Sequence, residues 1–301
     1  MSDSAPSAPE YWRRTLWSMV GLQTIMTTSI SFPGPIMPLF LPELGVETIE
    51  AVSIWTGVIT GSMSFVAAFA SPIWGRISDR HGRKLALLRS SIAIASFTVL
   101  MGLVTDVWQL FGIRVLMGAF VGFTAAAIAL TASQVPEDRL GWALGLLSTG
   151  QLVGLMIGPM AAGGLADLTD SYRIPFFVIA AVTATVPVLT WWLVREDFTP
   201  PATAGKQQSV LAGLRALAAS SGVMALFCVL LMAQFGVRTV EPVVTLFVLE
   251  LAGDVPNIAL LAGLAFSISG LANLIAAPVL GTRSDVIGYR RVLLIALAGS
   301  A

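Results

Sequence analysis

Two long apolar runs joined by a short, strongly charged turn occur twice in this chain, and that recurrence restricts the fold more than any other feature. The first turn, Gly75 to Leu87, reads GRISDRHGRKLAL, and the second, Gly281 to Leu293, reads GTRSDVIGYRRVL. In each copy a glycine is followed four residues on by an aspartate and seven residues on by a second glycine, with a basic pair close behind. At the same offset Gly57 meets Gly263, Ala70 meets Ala276 and Pro72 meets Pro278, and small residues match at Gly61 with Ser267 and Ser64 with Gly270. One residue of slippage then aligns PIMPLFLPEL from Pro35 with PVVTLFVLEL from Pro242. The repeat unit is two membrane helices and the loop that follows them, running in the same direction in both copies.

The apolar runs have bilayer length. They are expected near 15–41, 52–74, 85–105, 107–131, 140–166, 174–194, 222–251 and 257–280, each close to the roughly twenty residues that a ~30 Å hydrocarbon core requires. A ninth begins at Val292 and has too few residues before Ala301 to cross. The expectation is an all-α membrane protein with six-plus-six transmembrane helices, this chain ending in the ninth. Its parts would be a cytoplasmic tail (1–14), a six-helix half (15–194), a cytoplasmic linker (195–221) and a second half cut short (222–301). With 56% hydrophobic and 11% charged residues and a mean hydropathy of +0.84, the chain is far too apolar for a soluble domain.

Net charge is zero, so the placement of charges carries the information. All of the 17 Lys and Arg except Arg114, Arg173 and Arg238 fall in the tail or near the loops after spans two, four, six and eight. The opposite loops hold Arg173 with Glu43, Glu47, Glu50, Asp106, Asp167, Asp170 and Asp254. The positive-inside rule then puts the amino terminus and the Asp79 turn in the cytoplasm, and a lipid bilayer is the first partner implied.

Polar groups inside the spans are the candidates for chemistry. Arg114 lies seven residues into the fourth span, where insertion charges about 2.5–3.5 kcal/mol for an arginine. Either it serves a cavity or it snorkels to a surface about 10 Å away at 1.5 Å per residue. Arg238 and Glu241 share one helical face in the seventh span and can neutralise each other, as a rim ion pair or as ligand contacts. Gln23, Gln151 and Gln234, with Thr27 and its neighbours Thr24 and Thr28, line a cavity in one reading and bond neighbouring helices in the other.

The fifth span carries the fullest glycine pattern: Gly145, Gly154, Gly158-Pro159 and Gly163-Gly164. Bare glycine faces let a second backbone approach, and a proline inside the membrane bends the helix. Taken as a sliding face, the pattern predicts that Gly158→Leu blocks function while Gly163→Ala is mild; static packing is the plainer alternative.

Several function classes fall away. His81, the single histidine, belongs to the charged turn, and Cys228, the single cysteine, lies in an apolar run. No phosphate-cradling glycine loop, metal cluster or basic aromatic surface for nucleic acid is present in the sequence. An enzyme is not expected.

Gly75-x-x-x-Asp79-Arg80-x-Gly82-Arg83-Lys84 resembles the loop-two-three motif of the major facilitator superfamily, and Gly281, Asp285, Gly288, Arg290 and Arg291 stand where that family repeats it. Arg114-x-x-Met117-Gly118 is similar to the family's fourth-helix motif, with Met117 in the place of the usual glutamine. Gly145, Gly154, Gly158, Pro159 and Gly163 resemble the fifth-helix motif of drug:proton antiporters of the twelve-helix type, with Ala162 replacing one glycine. The resemblance implies the major facilitator fold and a secondary transporter rocking between outward-open and inward-open states. It would export small lipophilic compounds in exchange for protons, as a monomer in the bacterial inner membrane, needing no cofactor beyond the proton gradient.

Under that resemblance Asp79, with Arg83 and Arg139, closes the cytoplasmic side in one state through charge-assisted contacts broken in the other. Arg114 couples substrate release to proton entry, and Glu241 is the titrating carboxylate within this chain. Gln23, Thr27, Gln151, Gln234 and Arg238 would line the substrate cavity. A sugar or metabolite symporter and a non-transporting sensor remain alternatives.

Overall fold

The computed structural model describes residues 11–196 and 257–287, with short pieces between 220 and 248; side chains on the last helix are described as far as Ala276. All regular structure among these residues is helical. In chain order the helices are α1 (Trp12–Ser31), α2 (Pro33–Phe40), α3 (Ile49–His81), α4 (Arg83–Leu103), α5 (Val107–Phe120), α6 (Phe123–Gln134), α7 (Leu140–Thr169), α8 (Ile174–Leu193) and α9 (Ile258–Ile287). Among the described residues seven stretches are long and apolar enough to cross a membrane, α1 with α2 and α5 with α6 each contributing to one. The expected all-α membrane fold holds. The expected residues of the tail up to 10, of the linker from 197 to 219, most of the seventh span and the start of the ninth lie outside the described residues.

Local chemistry sets the helix ends. The Thr48 hydroxyl accepts from the Ala51 N–H at 3.3 Å and opens α3. Asp106 accepts from the Trp108 N–H at 2.5 Å and opens α5. Side-chain oxygens of this kind satisfy first-turn donors that have no partner in their own helix. Between α3 and α4 the chain reverses on the single residue Gly82, whose φ of 96° and ψ of 151° suit only glycine. The second break, unforeseen in the apolar run, divides the fourth span: α5 stops at Phe120, Gly122 takes φ +147°, and α6 restarts at Phe123. The Trp74 indole N–H donates to the Ala119 carbonyl at 2.6 Å, supplying one of the bonds the break removes.

Between apolar helices in lipid there is little hydrophobic drive, so close fit and polar contacts hold the bundle. α1 packs on α7 and α8, α4 on α8, and α3 on α5. On the α3–α5 seam a side chain at Gly118 would run into the Met63 backbone. The α1–α8 seam carries a hydroxyl pair, Ser29 with Thr183, at 2.6 Å. Phe32, Phe40, Phe123 and Phe176 are fully buried at the centre, and the Phe40 and Phe176 rings lie 5.5 Å apart.

The charges sort to two ends. One end of the bundle carries Arg76, Arg80, Arg83, Lys84, Arg139 and Arg195; the other carries Glu43, Glu47, Glu50, Asp106, Asp167 and Asp170. They are called here the basic end and the acidic end. Replacing Gly82 by Ala should destabilise the folded chain by about 1–3 kcal/mol, because a side chain is forced into a glycine-only conformation. Thermal unfolding in detergent of Gly82→Ala against Gly75→Ala, whose added methyl group meets open space, measures it; equal midpoints would refute the role given to Gly82.

Candidate functional site

α7 lies between α1, in its own half, and α9, in the other. Its glycines divide accordingly. A Cβ at Gly154 would stand 2.6 Å from the Thr24 carbonyl oxygen and 2.8 Å from the Thr27 Cβ, and one at Gly158 would stand 2.7 Å from the Thr28 carbonyl oxygen. Both sites therefore face α1. A Cβ at Gly163 would overlap the Ala259 carbonyl and come within 2.8 Å of the Leu260 Cα, on α9. α9 reciprocates: Gly263 backs onto the Pro159 carbonyl and Gly270 stands against the Met156 Cα. Against the expectation that Gly163→Ala is mild, a methyl group at Gly163 has no more room than one at Gly158. Gly158 is packed inside one half, whereas Gly163 lies where the two halves meet and has no room for a methyl group.

The closest α7–α9 contacts described lie from the acidic end to the middle of the two helices. At the acidic end an Asp167 carboxylate oxygen accepts from the Leu260 N–H at 2.7 Å. Further in, the Ser267 hydroxyl bonds the Met156 carbonyl at 2.7 Å. Toward the basic end Gly141 and Gly145 have open space around them, and Leu271 and Ile275 on α9 are exposed. Gly145 thus takes no part in the close packing that its spacing suggested.

Around the Asp167 contact lies a cavity of about 310 Å³, lined by Glu43, Asp167, Asp170, Tyr172 and Asn257 among others. Burial, and then the charges of Asp167, Glu43 and Asp170, push the Tyr172 hydroxyl above the ordinary phenol range. Arg173 holds the neighbouring loop, with its guanidinium 3.4 Å from Glu43 and donating to the Val104 carbonyl at 2.6 Å.

Within the bundle Arg114 is 6% exposed, so it does not snorkel. Its Nη1 donates to the Met63 sulfur at 3.3 Å, and its Nε has no partner among the described residues. No carboxylate pairs with it among the described residues. Gln23 is completely buried and its amide donates to the Thr124 hydroxyl at 2.9 Å and the Thr27 hydroxyl at 3.2 Å. That is the helix-bonding alternative, although the Gln23 Oε1 stays without a partner. Gln151 is half-buried on α7. Gln234, Arg238 and Glu241 lie outside the described residues.

At the basic end the turn shows none of the contacts expected of it in the state closed to the cytoplasm. Asp79 is exposed and no ion pair is formed with Arg83 or Arg139; Arg139 lies 3.7 Å from Asp138. The carboxylate that holds the turn is Glu196, at the end of α8. Its two oxygens accept from the backbone N–H groups of Arg83 and Lys84 at 2.8 and 2.7 Å, capping α4 and opposing its positive end. Lys84 reaches back to the Trp191 carbonyl at 2.9 Å, and Gln134 donates to the Arg195 carbonyl at 2.6 Å. Arg76 and Arg80 line an open groove of about 300 Å³. Gly281 and Asp285 fall on α9 beyond its described side chains, and Gly288, Arg290 and Arg291 lie outside the described residues.

Sequence reading missed Glu196, Asp167 and Arg89. Arg89 lies on α4 with its guanidinium 3.5 Å above the Trp74 ring, beside the break at Gly122. Its place within an apolar run was the available signal.

Residues 19–301 match the family model described as Major Facilitator Superfamily. The chain is 38% identical over 299 residues to the multidrug resistance protein MdtG of Yersinia enterocolitica, covering 98% of this chain and 70% of the relative. It is also 38% identical to the MdtG of Salmonella typhimurium, with 98% and 72% covered. Among solved structures it resembles a bacterial homologue of the lysosomal transporter Spinster, with a TM-score of 0.74 at 15% identity, spanning 94% of this chain and 64% of that one. A D-xylose–proton symporter gives 0.63 at 14%, with 90% and 69% covered.

Gly158→Ala should overpack the α1–α7 seam at a cost of about 1–3 kcal/mol, lowering thermal stability and folded yield. Gly163→Ala should instead leave the six-helix half folded and push α7 away from α9. Melting curves, with distances between spin labels on the acidic ends of α7 and α9, separate the two; the reverse pattern would refute the assignment.

Proposed function

We propose, from the premise that this chain belongs to the Major Facilitator Superfamily, that it is part of an exporter exchanging small lipophilic compounds for protons by alternating access. The backbone-to-backbone contact between α7 and α9, at Gly163, Gly263 and Gly270, carries this reading. Two helices from opposite halves that touch through bare backbone can rock about the touching region, exposing a central cavity first to one side and then to the other. Basic loops on one side mark that side as cytoplasmic, so in this reading the Asp167–Leu260 contact lies on the outer side. The chain lies in the bacterial inner membrane in this reading.

The residues then take these roles. Arg114, a buried cation without a counter-charge among the described residues, holds a demand for an anion inside the bundle, a demand expensive enough in lipid to be kept only for use. Substrate carboxylate or a deprotonated acid such as Glu241 can meet it, and protonation of that acid withdraws the anion. Arginine does not itself give up a proton. Asp79 is free while the basic ends stand apart and engages the opposite half when they close. Glu196 keeps the start of α4 fixed through both states. Drugs are proposed as the substrate class because the relatives are named for multidrug resistance.

Proton flux in energised everted vesicles tests the reading. Adding a lipophilic cationic drug should release the stored proton gradient in vesicles bearing the full-length protein, and a symporter would show uptake of drug with protons in the same direction. Arg114→Gln should reduce the drug-dependent flux by about tenfold or more, as expected for losing a charge-assisted hydrogen bond of about 1.5–3 kcal/mol. Undiminished flux in that variant would remove Arg114 from the coupling.

A further inference from the structure

Alternating access leaves open what holds the acidic ends together when the cavity faces inward. Leu260 is in the first turn of α9, where a backbone N–H has no partner in its own helix. Its donor is satisfied from the other half of the molecule, by Asp167 on α7 at 2.7 Å and 93 residues away in the chain. Gly163, Ala259 and Leu260 bring the two backbones close enough for a short aspartate to reach. Among the described residues Asp167 has no cationic partner.

We infer that Asp167 is the outer latch of the transport cycle, a helix cap that α7 supplies to α9 across the two halves. The latch rests on the alternating-access reading above and adds a named residue to it. A carboxylate at a helix N-terminus gains from both the hydrogen bond and the helix dipole. When the acidic ends part, the carboxylate and the N–H both meet water, so release leaves no buried polar group stranded and the contact stays reversible. The other charges facing it leave its role distinct. From the loop after α2, Glu43 is engaged by Arg173; from the end of α7, Asp170 is exposed; and Tyr172 precedes α8. None of these three reaches α9 in the described contacts.

Spin labels at Leu168→Cys on α7 and Leu261→Cys on α9, both exposed positions, report the separation of the acidic ends in the full-length protein with Cys228→Ser as background. The unaltered protein should give a short and a long distance. Asp167→Ala should shift the ratio toward the long distance by about fivefold, the loss expected for a helix cap. Asp167→Asn, which keeps an acceptor oxygen without the charge, should fall between, and it carries the test if the alanine variant fails to fold. Asp170→Ala, a neighbouring carboxylate outside the contact, should leave the ratio unmoved. Two distances whose ratio Asp167→Ala or Asp167→Asn does not change, or which Asp170→Ala changes equally, would overturn the latch. A single distance in every variant and condition would overturn alternating access itself.

Discussion

Backbone-to-backbone approach along α7 is the constraint on which the remaining structure depends. In lipid, apolar side chains gain little by meeting each other rather than acyl chains. Helices adhere where small residues let main chains touch, and α7 does this on two faces at once. Gly154 and Gly158 bring it onto α1, and Gly163 with Gly263 and Gly270 bring it onto α9. The first face is internal to a half and the second lies between halves, so in the proposed cycle one helix links a static seam to a moving one. Pro159, inside α7 and buried, presents its carbonyl to Gly263 at the turn between those two faces.

Polar groups then mark what such a frame can switch. Two carboxylates cap helices from a distance, Glu196 at the basic end and Asp167 at the acidic end. Glu196 ties α8 to α4 within one half; Asp167 ties α7 to α9 across the halves. Each works because the first turn of a helix has donors its own helix cannot satisfy. Arg114 is the opposite case, a buried donor group left, among the described residues, with a methionine sulfur and an Nε without a partner.

Much of this was legible in the sequence, and the limits are physical. Apolar length gave the spans, because a bilayer imposes one length on every crossing helix. Glycine spacing showed that α7 has bare faces, but a spacing cannot say which neighbour uses them, and so the tight packing of Gly163 against α9 was not foreseen. The break at Gly122 hid inside a uniformly apolar run, since lipid-facing hydropathy does not register a change of φ. Asp167 and Glu196 read as ordinary loop charges because their partners are backbone N–H groups 93 and 113 residues away, which have no sequence signature. Arg114 stood out from the start, since a charge in an apolar span is costly wherever the helix faces.

Paired distances at the two ends of the α7–α9 seam test the central claim most directly. One pair of labels reads the acidic end at Leu168 and Leu261, and a second reads the basic end at Gly145 and Ile275, where a side chain meets open space or is already exposed. The account predicts reciprocal behaviour as pH and drug are varied in proteoliposomes: conditions that lengthen the acidic-end distance shorten the basic-end distance, with the region of Met156 and Ser267 as the pivot. Both distances lengthening together, or one changing while the other holds still, would contradict a rocking motion about this contact.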